Sequence, residues 1–215
     1  MTASDLDSAL TTALADRRLL DHPFYRRWEA GGVSLAELGA YAGQYRHFES
    51  YLPGFLARLL AGLPRGRAFD LVAANLADEE GNPVPHVELF ERFASAVGAG
   101  ENAASPATRA LLSAYDELVG QGVLAGLAGF VAYESQAAEI ARRKADGLRS
   151  HHGLDDQAVS FWEHHADVDA RHGTWAQGAL GLCTDEPECL VDAARRAADA
   201  WWAMLDERET AVQPS

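Results

Sequence analysis

Apolar residues recur at helical spacing from about residue 4 to about residue 210, alanine and leucine are abundant, and β-branched residues are sparse. Such a pattern leaves strands little place and predicts amphipathic helices packed around a shared core. The spacing predicts helices over about 4–20, 22–31, 34–62, 66–79, 86–98, 106–120, 122–150, 156–182 and 186–210. Boundary residues agree with several of these. Ser34-Leu35-Ala36-Glu37 reads as a capping box, Ser105-Pro106 as a cap followed by a first-turn proline, and Gly31-Gly32 and Gly153 as stops. Pro53 is expected to kink the long third helix, because it removes one backbone donor.

At 215 residues, 48% hydrophobic and 23% charged, the chain fits one globular all-α domain spanning 1–215. Its formal net charge of −14 opposes binding to nucleic acid or to an anionic membrane face. No apolar run approaches the roughly 20 residues of a membrane span. The opening residues lack the basic and apolar regions of a signal peptide, so the chain reads as cytoplasmic. Cys183 and Cys189 match neither a zinc knuckle nor a redox pair and read as ordinary thiols.

Three segments carry polar groups where a plain core would not. Glu134 follows Gly122 to Tyr133, the most apolar stretch of the chain, and a carboxylate buried there must be paired, serve as a cap or bind metal. His165, Asp169 and His172 stand at i, i+4 and i+7, so they share one helical face and resemble half of a metal site. His164 and Asp167 point elsewhere, toward solvent or supporting contacts. The third segment runs from Asp78 to His86, where Gly81, Pro83 and Pro85 forbid a continuous helix. Glu79 then ends one helix and His86 opens the next, and alone this reads better as an ordinary acidic helix end before a proline-rich turn than as a ligand pair. Together the segments offer three carboxylates and three imidazoles, a donor set suited to iron or manganese with positions left for water or oxygen. A Glu-x-x-His pair of the ferritin type is absent, since Ala137 stands three residues after Glu134.

These residues resemble the haem-oxygenase-like dimetal oxidases, relatives of the TenA and PqqC proteins, and especially their CADD-like branch. The likeness runs through His22 to Trp28, Ser34 to Pro53, Asn75 to Gly81 with His86, Tyr133 to Gln136 with Ile140 and Lys144, and His165-x3-Asp169-x2-His172. It implies a single haem-oxygenase-like bundle of about seven core helices. It implies Glu79, His86, Glu134, His165, Asp169 and His172 as ligands of two Fe(II) ions, or of an iron–manganese pair, with O2 as co-substrate. Thiamine hydrolysis is disfavoured, because the thiaminase branch uses a cysteine inside the bundle and none precedes Cys183.

The resemblance leaves several functions open. One is oxygenation of a small nitrogen-containing metabolite, such as N-oxygenation of an amine, in an apolar pocket lined by Tyr25, Tyr41, Phe48 and Trp162. A second is the CADD-like synthesis of p-aminobenzoate, in which the protein consumes its own Tyr25 and takes nitrogen from Lys144, with Tyr41 beside them. Lys144 also reads as one of several solvated cations in Ala141-Arg142-Arg143-Lys144. A third is a non-enzymatic bundle that binds a protein partner. Trp201-Trp202 is expected to close a bundle face or a homodimer contact. With no dinucleotide or flavin motif in the chain, electrons are expected from an external donor or from the substrate.

Overall fold

The computed structural model describes residues 3–81, 84–181 and 187–211; for 3–5, 7, 167–177, 181 and 187–189 it describes the backbone alone. Nine α-helices are present among the described residues: α1 Ala3–Leu14, α2 Pro23–Glu29, α3 Leu35–Gly62, α4 Arg67–Glu79, α5 His86–Ala96, α6 Pro106–Gln121, α7 Val123–His152, α8 Asp156–Gly181 and α9 Pro187–Thr210. No described residue lies in a strand, and no helix is long and apolar enough to cross a membrane. The helix expected over 4–20 is shorter than its periodicity suggested. It ends at Leu14, and two short 3-10 turns, Ala15–Arg17 and Leu19–Asp21, carry the chain into α2.

The caps form as their residue types dictate. The Ser34 side chain accepts from the Glu37 amide while Glu37 reaches back to the Ser34 amide. Ser105 caps α6 with Pro106 in its first turn, and Gly153 closes α7 in the left-handed region at φ 61°. The third helix runs unbroken through Pro53. Pro53 brings no donor to the helical ladder, yet packing on both sides holds the helix together.

The longest helix, α7, packs along α8, α9 and α6, while α3 lies against α4, α5 and α6. Between them sits an aromatic core. Trp28, Trp162 and Trp201 are buried, and each withdraws about 150–250 Å² from water, an upper bound of roughly 4–6 kcal/mol before entropy is counted. Tyr45 touches the rings of Tyr41, Phe48, Phe90, Trp162 and Trp201. Gly147 lets α2 approach α7 closely, because a Cβ there would lie 2.9 Å from Cδ1 of Trp28 and 3.1 Å from its carbonyl oxygen. Trp201 belongs to the core, and its neighbour Trp202 closes a face of the bundle against His22, with ring centroids 4.8 Å apart.

Candidate metal centre and aromatic cage

The break between α4 and α5 sets the first half of the site. Gly81 adopts φ 79°, and a Cβ at that position would lie 2.2 Å from the Val84 carbonyl oxygen, so only glycine fits the turn. The turn brings the last residue of α4, Glu79, to the first residue of α5, His86, with Oε2 of Glu79 2.9 Å from Nδ1 of His86. From α8, His165 joins them, and ligand atoms of Glu79, His86 and His165 all lie within 4.8 Å of one another. All three side chains are buried.

His165 is oriented from its own helix. Its Nδ1 donates to the Phe161 carbonyl at 2.8 Å, and its ring lies 4.1 Å from that of Phe161. This tautomer puts the lone pair on Nε2, the state a metal requires of imidazole. Asn75, one turn before Glu79 and on the same face, is buried with neither amide atom hydrogen-bonded. Leaving such a group unpartnered costs about 1–3 kcal/mol per atom, which marks this interior as built for something beyond packing.

Oxygen and imidazole donors form a hard-to-borderline set that suits iron or manganese. Metal–ligand distances of about 2.0–2.2 Å place ligand atoms of one ion about 3–4.4 Å apart, so the observed spacing fits an ion after small adjustments. Glu134 is buried on α7, where its charge helps raise the Tyr115 phenol above its ordinary pKa, after the larger effect of burial. It is not a member of the compact triad formed by Glu79, His86 and His165. Asp169 and His172 fall where only backbone is described, on α8 one and two turns beyond His165; Cys183 lies outside the described residues, and only the backbone of Cys189 lies within them.

A second constellation adjoins the first. Lys144 is 2% exposed on α7, and this burial overturns its reading as a solvated cation. Nζ donates to Oη of Tyr41 at 2.7 Å and lies 4.0 Å from the ring centre of Trp162, 4.5 Å from Tyr25, 4.9 Å from Tyr45 and 5.6 Å from Trp28. Ring faces replace water around the ammonium, which makes the burial tolerable. The Tyr25 and Tyr41 hydroxyls are 2.8 Å apart, and those of Tyr45 and Tyr133 are 2.5 Å apart. Burial raises the pKa of Tyr25, Tyr41 and Tyr45 above the ordinary phenol range, so all three stay protonated near neutrality.

The expected apolar substrate pocket is largely filled. Tyr41, Phe48 and Trp162 are packed into the core, and the cleft beside Tyr25, Trp28 and Lys144 has a volume of about 10 Å³. Sequence reasoning missed Asn75 and gave His164 no definite contact. His164 is half-buried, and its Nε2 lies 2.9 Å from Nε2 of His86. The signal for Asn75 was available, since it stands four residues before Glu79.

Residues 39–203 match a family described as iron-containing redox enzymes. The chain is 30% identical to a 4-aminobenzoate synthase of Nitrosomonas europaea, over 96% of this chain and 92% of that protein. It is 25% identical to a 4-aminobenzoate synthase of Chlamydia muridarum, over 92% of this chain and 87% of its relative. Among solved structures, a CADD-like protein from Nostoc punctiforme superimposes with a TM-score of 0.82 at 18% identity, covering 98% of this chain and 99% of that one. A structure from Shewanella denitrificans with a haem-oxygenase-like fold gives 0.79 at 16% identity, over 98% and 93%.

Proposed function

The chain belongs to the iron-containing redox enzymes, and we propose that its particular reaction forms 4-aminobenzoate from its own Tyr25 and Lys144. The observation that carries this reading is the burial of Lys144 against Tyr25 and Tyr41, beside a cleft of only about 10 Å³. The names borne by its relatives point the same way. These observations favour self-consumption over N-oxygenation of an external metabolite.

The chemistry can be read from the product. A tyrosine side chain is a phenol with a para methylene, and 4-aminobenzoate is an aniline with a para carboxylate. Conversion breaks the Cα–Cβ bond of Tyr25, leaving a hydrogen on Cα as in glycine, and oxidises Cβ to a carboxyl group. Nitrogen released from Cε of Lys144, which is left as an aldehyde, replaces the hydroxyl, which leaves as water. O2 is the oxidant, and further electrons come from a donor outside the chain. Glu79, His86, Glu134, His165, Asp169 and His172 would hold two ferrous ions, or iron with manganese. Metal bound there supplies oxygen activation and one-electron chemistry that side chains lack.

The protein's own residues prepare the two reactants. Trp28 and Trp162 confine the lysine head, and their rings exclude water from the nitrogen. Tyr41 bridges the reactants, accepting from Lys144 and sharing a hydrogen bond with Tyr25. A proton leaving the nitrogen can pass along this chain, Tyr41 taking it up as it hands its own hydroxyl proton to Tyr25 Oη, the oxygen that leaves as water. Holding both groups in contact removes the entropy cost of bringing two molecules together.

Isotopes test the assignment. Protein grown with ring-13C tyrosine and 15N lysine, loaded with Fe(II) and exposed to O2 and a reductant, should release 4-aminobenzoate carrying both labels. Unlabelled product, formed from unlabelled small molecules in the mixture, would overturn it.

A further inference from the structure

Two pairs of neighbours, Asp78-Glu79 on α4 and His164-His165 on α8, flank His86. The buried members form the triad already described. The other members form a second triad, and ligand atoms of Asp78, His86 and His164 also lie within 4.8 Å of one another. Asp78 and His164 are half-buried, so this second group opens toward solvent while sharing its innermost member with the buried one. We propose that Asp78, His86 and His164 form an outer divalent-metal position through which ions reach the buried site.

Each ring nitrogen of His86 faces one member of a different triad. Nδ1 faces Glu79 at 2.9 Å and Nε2 faces His164 at 2.9 Å. Nitrogens of two imidazoles bound side by side on one octahedral ion lie about 3 Å apart, given metal–nitrogen bonds of about 2.1 Å. The His86 and His164 nitrogens already stand at that separation. A neutral imidazole has one lone pair, so His86 serves one ion at a time. An ion held outside by Nε2 moves inward when the ring proton changes from Nδ1 to Nε2 and Glu79 and His165 take it up. One carboxylate and two imidazoles in each triad give the same donor set, so the transfer exchanges like for like. The outer position, half-exposed, holds the ion less strongly, and this sets the direction inward.

The inference rests on the metal assignment above and is independent of the product. Cobalt(II) tests it, because its visible absorption reports imidazole binding without oxygen chemistry. Metal-free full-length protein is mixed anaerobically with Co(II), and the rate and end point of the absorbance change are recorded for wild type, Asp78→Asn and His164→Gln. The expected result is a wild-type rate that saturates with Co(II) concentration, as a filled outer position requires. Both variants should load roughly tenfold more slowly and reach the wild-type end point, which also shows that they fold. Wild-type loading rates in both variants would overturn the outer position alone. A lowered end point in both would also overturn it, by making Asp78 and His164 resident ligands. Wild-type protein that takes up no cobalt would overturn the metal assignment itself and the outer position with it.

Discussion

Nζ of Lys144, the single lysine of the chain, donates to Oη of Tyr41 at 2.7 Å within the buried core. A charged group in such a place is expensive unless its surroundings replace water, and five aromatic rings do so here. Packing alone would be served better by methionine or leucine. A reactive amine therefore explains what a structural side chain does not.

Lys144→Met keeps the length of the side chain and removes the nitrogen. We expect a folded, iron-binding protein that forms no 4-aminobenzoate from its own lysine. Tyr41→Phe leaves both reactants in place but removes the bridge between them. Product formation should fall by about 10²-fold or more, in line with loss of a proton-transfer group. Product quantified after one exposure to O2 checks both variants, and full yield in Tyr41→Phe would remove Tyr41 from the reaction.

Glu79→Gln and His165→Ala each take a donor from the buried triad while leaving the aromatic cage intact. Iron affinity should drop by at least roughly tenfold in each. Equilibrium dialysis against Fe(II) under anaerobic conditions reads this directly. Retention of wild-type iron content by both variants would displace the metal centre from this end of the bundle.

Gly147→Ala acts on the wall of the aromatic cage and leaves the metal triad untouched. The added Cβ meets Trp28, whose Nε1 donates to the Lys144 carbonyl at 3.2 Å, so α2 must shift away from α7. Tyr25 rides on α2 and Lys144 on α7. The substitution should lower product yield while iron content stays unchanged. Equal losses of iron and product would point to general unfolding instead.

His22 supplies a pH-dependent prediction. Its Nδ1 accepts from the Phe24 amide as the cap of α2, and its Nε2 pairs with Asp206 at 3.1 Å. Burial lowers its pKa below the ordinary 6.5, although Asp206 opposes the shift. The unfolded chain thus takes up this proton at higher pH than the folded one. Stability from neutral His22 is present in full above about pH 6.5 and is lost as pH falls through the folded value. His22→Asn keeps a capping acceptor that does not titrate. Thermal midpoints at about pH 7.5 and about pH 5.5 should differ less in the variant than in wild type.

Much of this architecture was legible because helices report themselves locally. Ser34 with Glu37, Ser105 with Pro106, and Gly153 each marked a boundary that the structure keeps. Glu79 and His86 were paired across a break because Gly81 and Pro85 leave the chain no helical route between them. Contacts between distant segments were harder to read. Nothing local to Lys144 shows that Trp162 closes over it, because its sequence neighbours Arg142 and Arg143 are exposed cations. The break after Leu14 was hidden for a related reason. The apolar period continues through Leu19 and Leu20, while the backbone turns to bring Leu19 into the core and its amide to Gln136.

If the enzyme consumes itself, product formation and loss of the Tyr25 side chain keep pace. Protein loaded with Fe(II) is given O2 and excess reductant, 4-aminobenzoate is counted per chain, and the mass of the peptide holding Tyr25 is recorded before and after. Self-consumption gives at most one product per chain, with that peptide losing the tyrosine side chain in proportion. Many products per chain, with the Tyr25 peptide unchanged in mass, would contradict it and establish turnover of an external substrate.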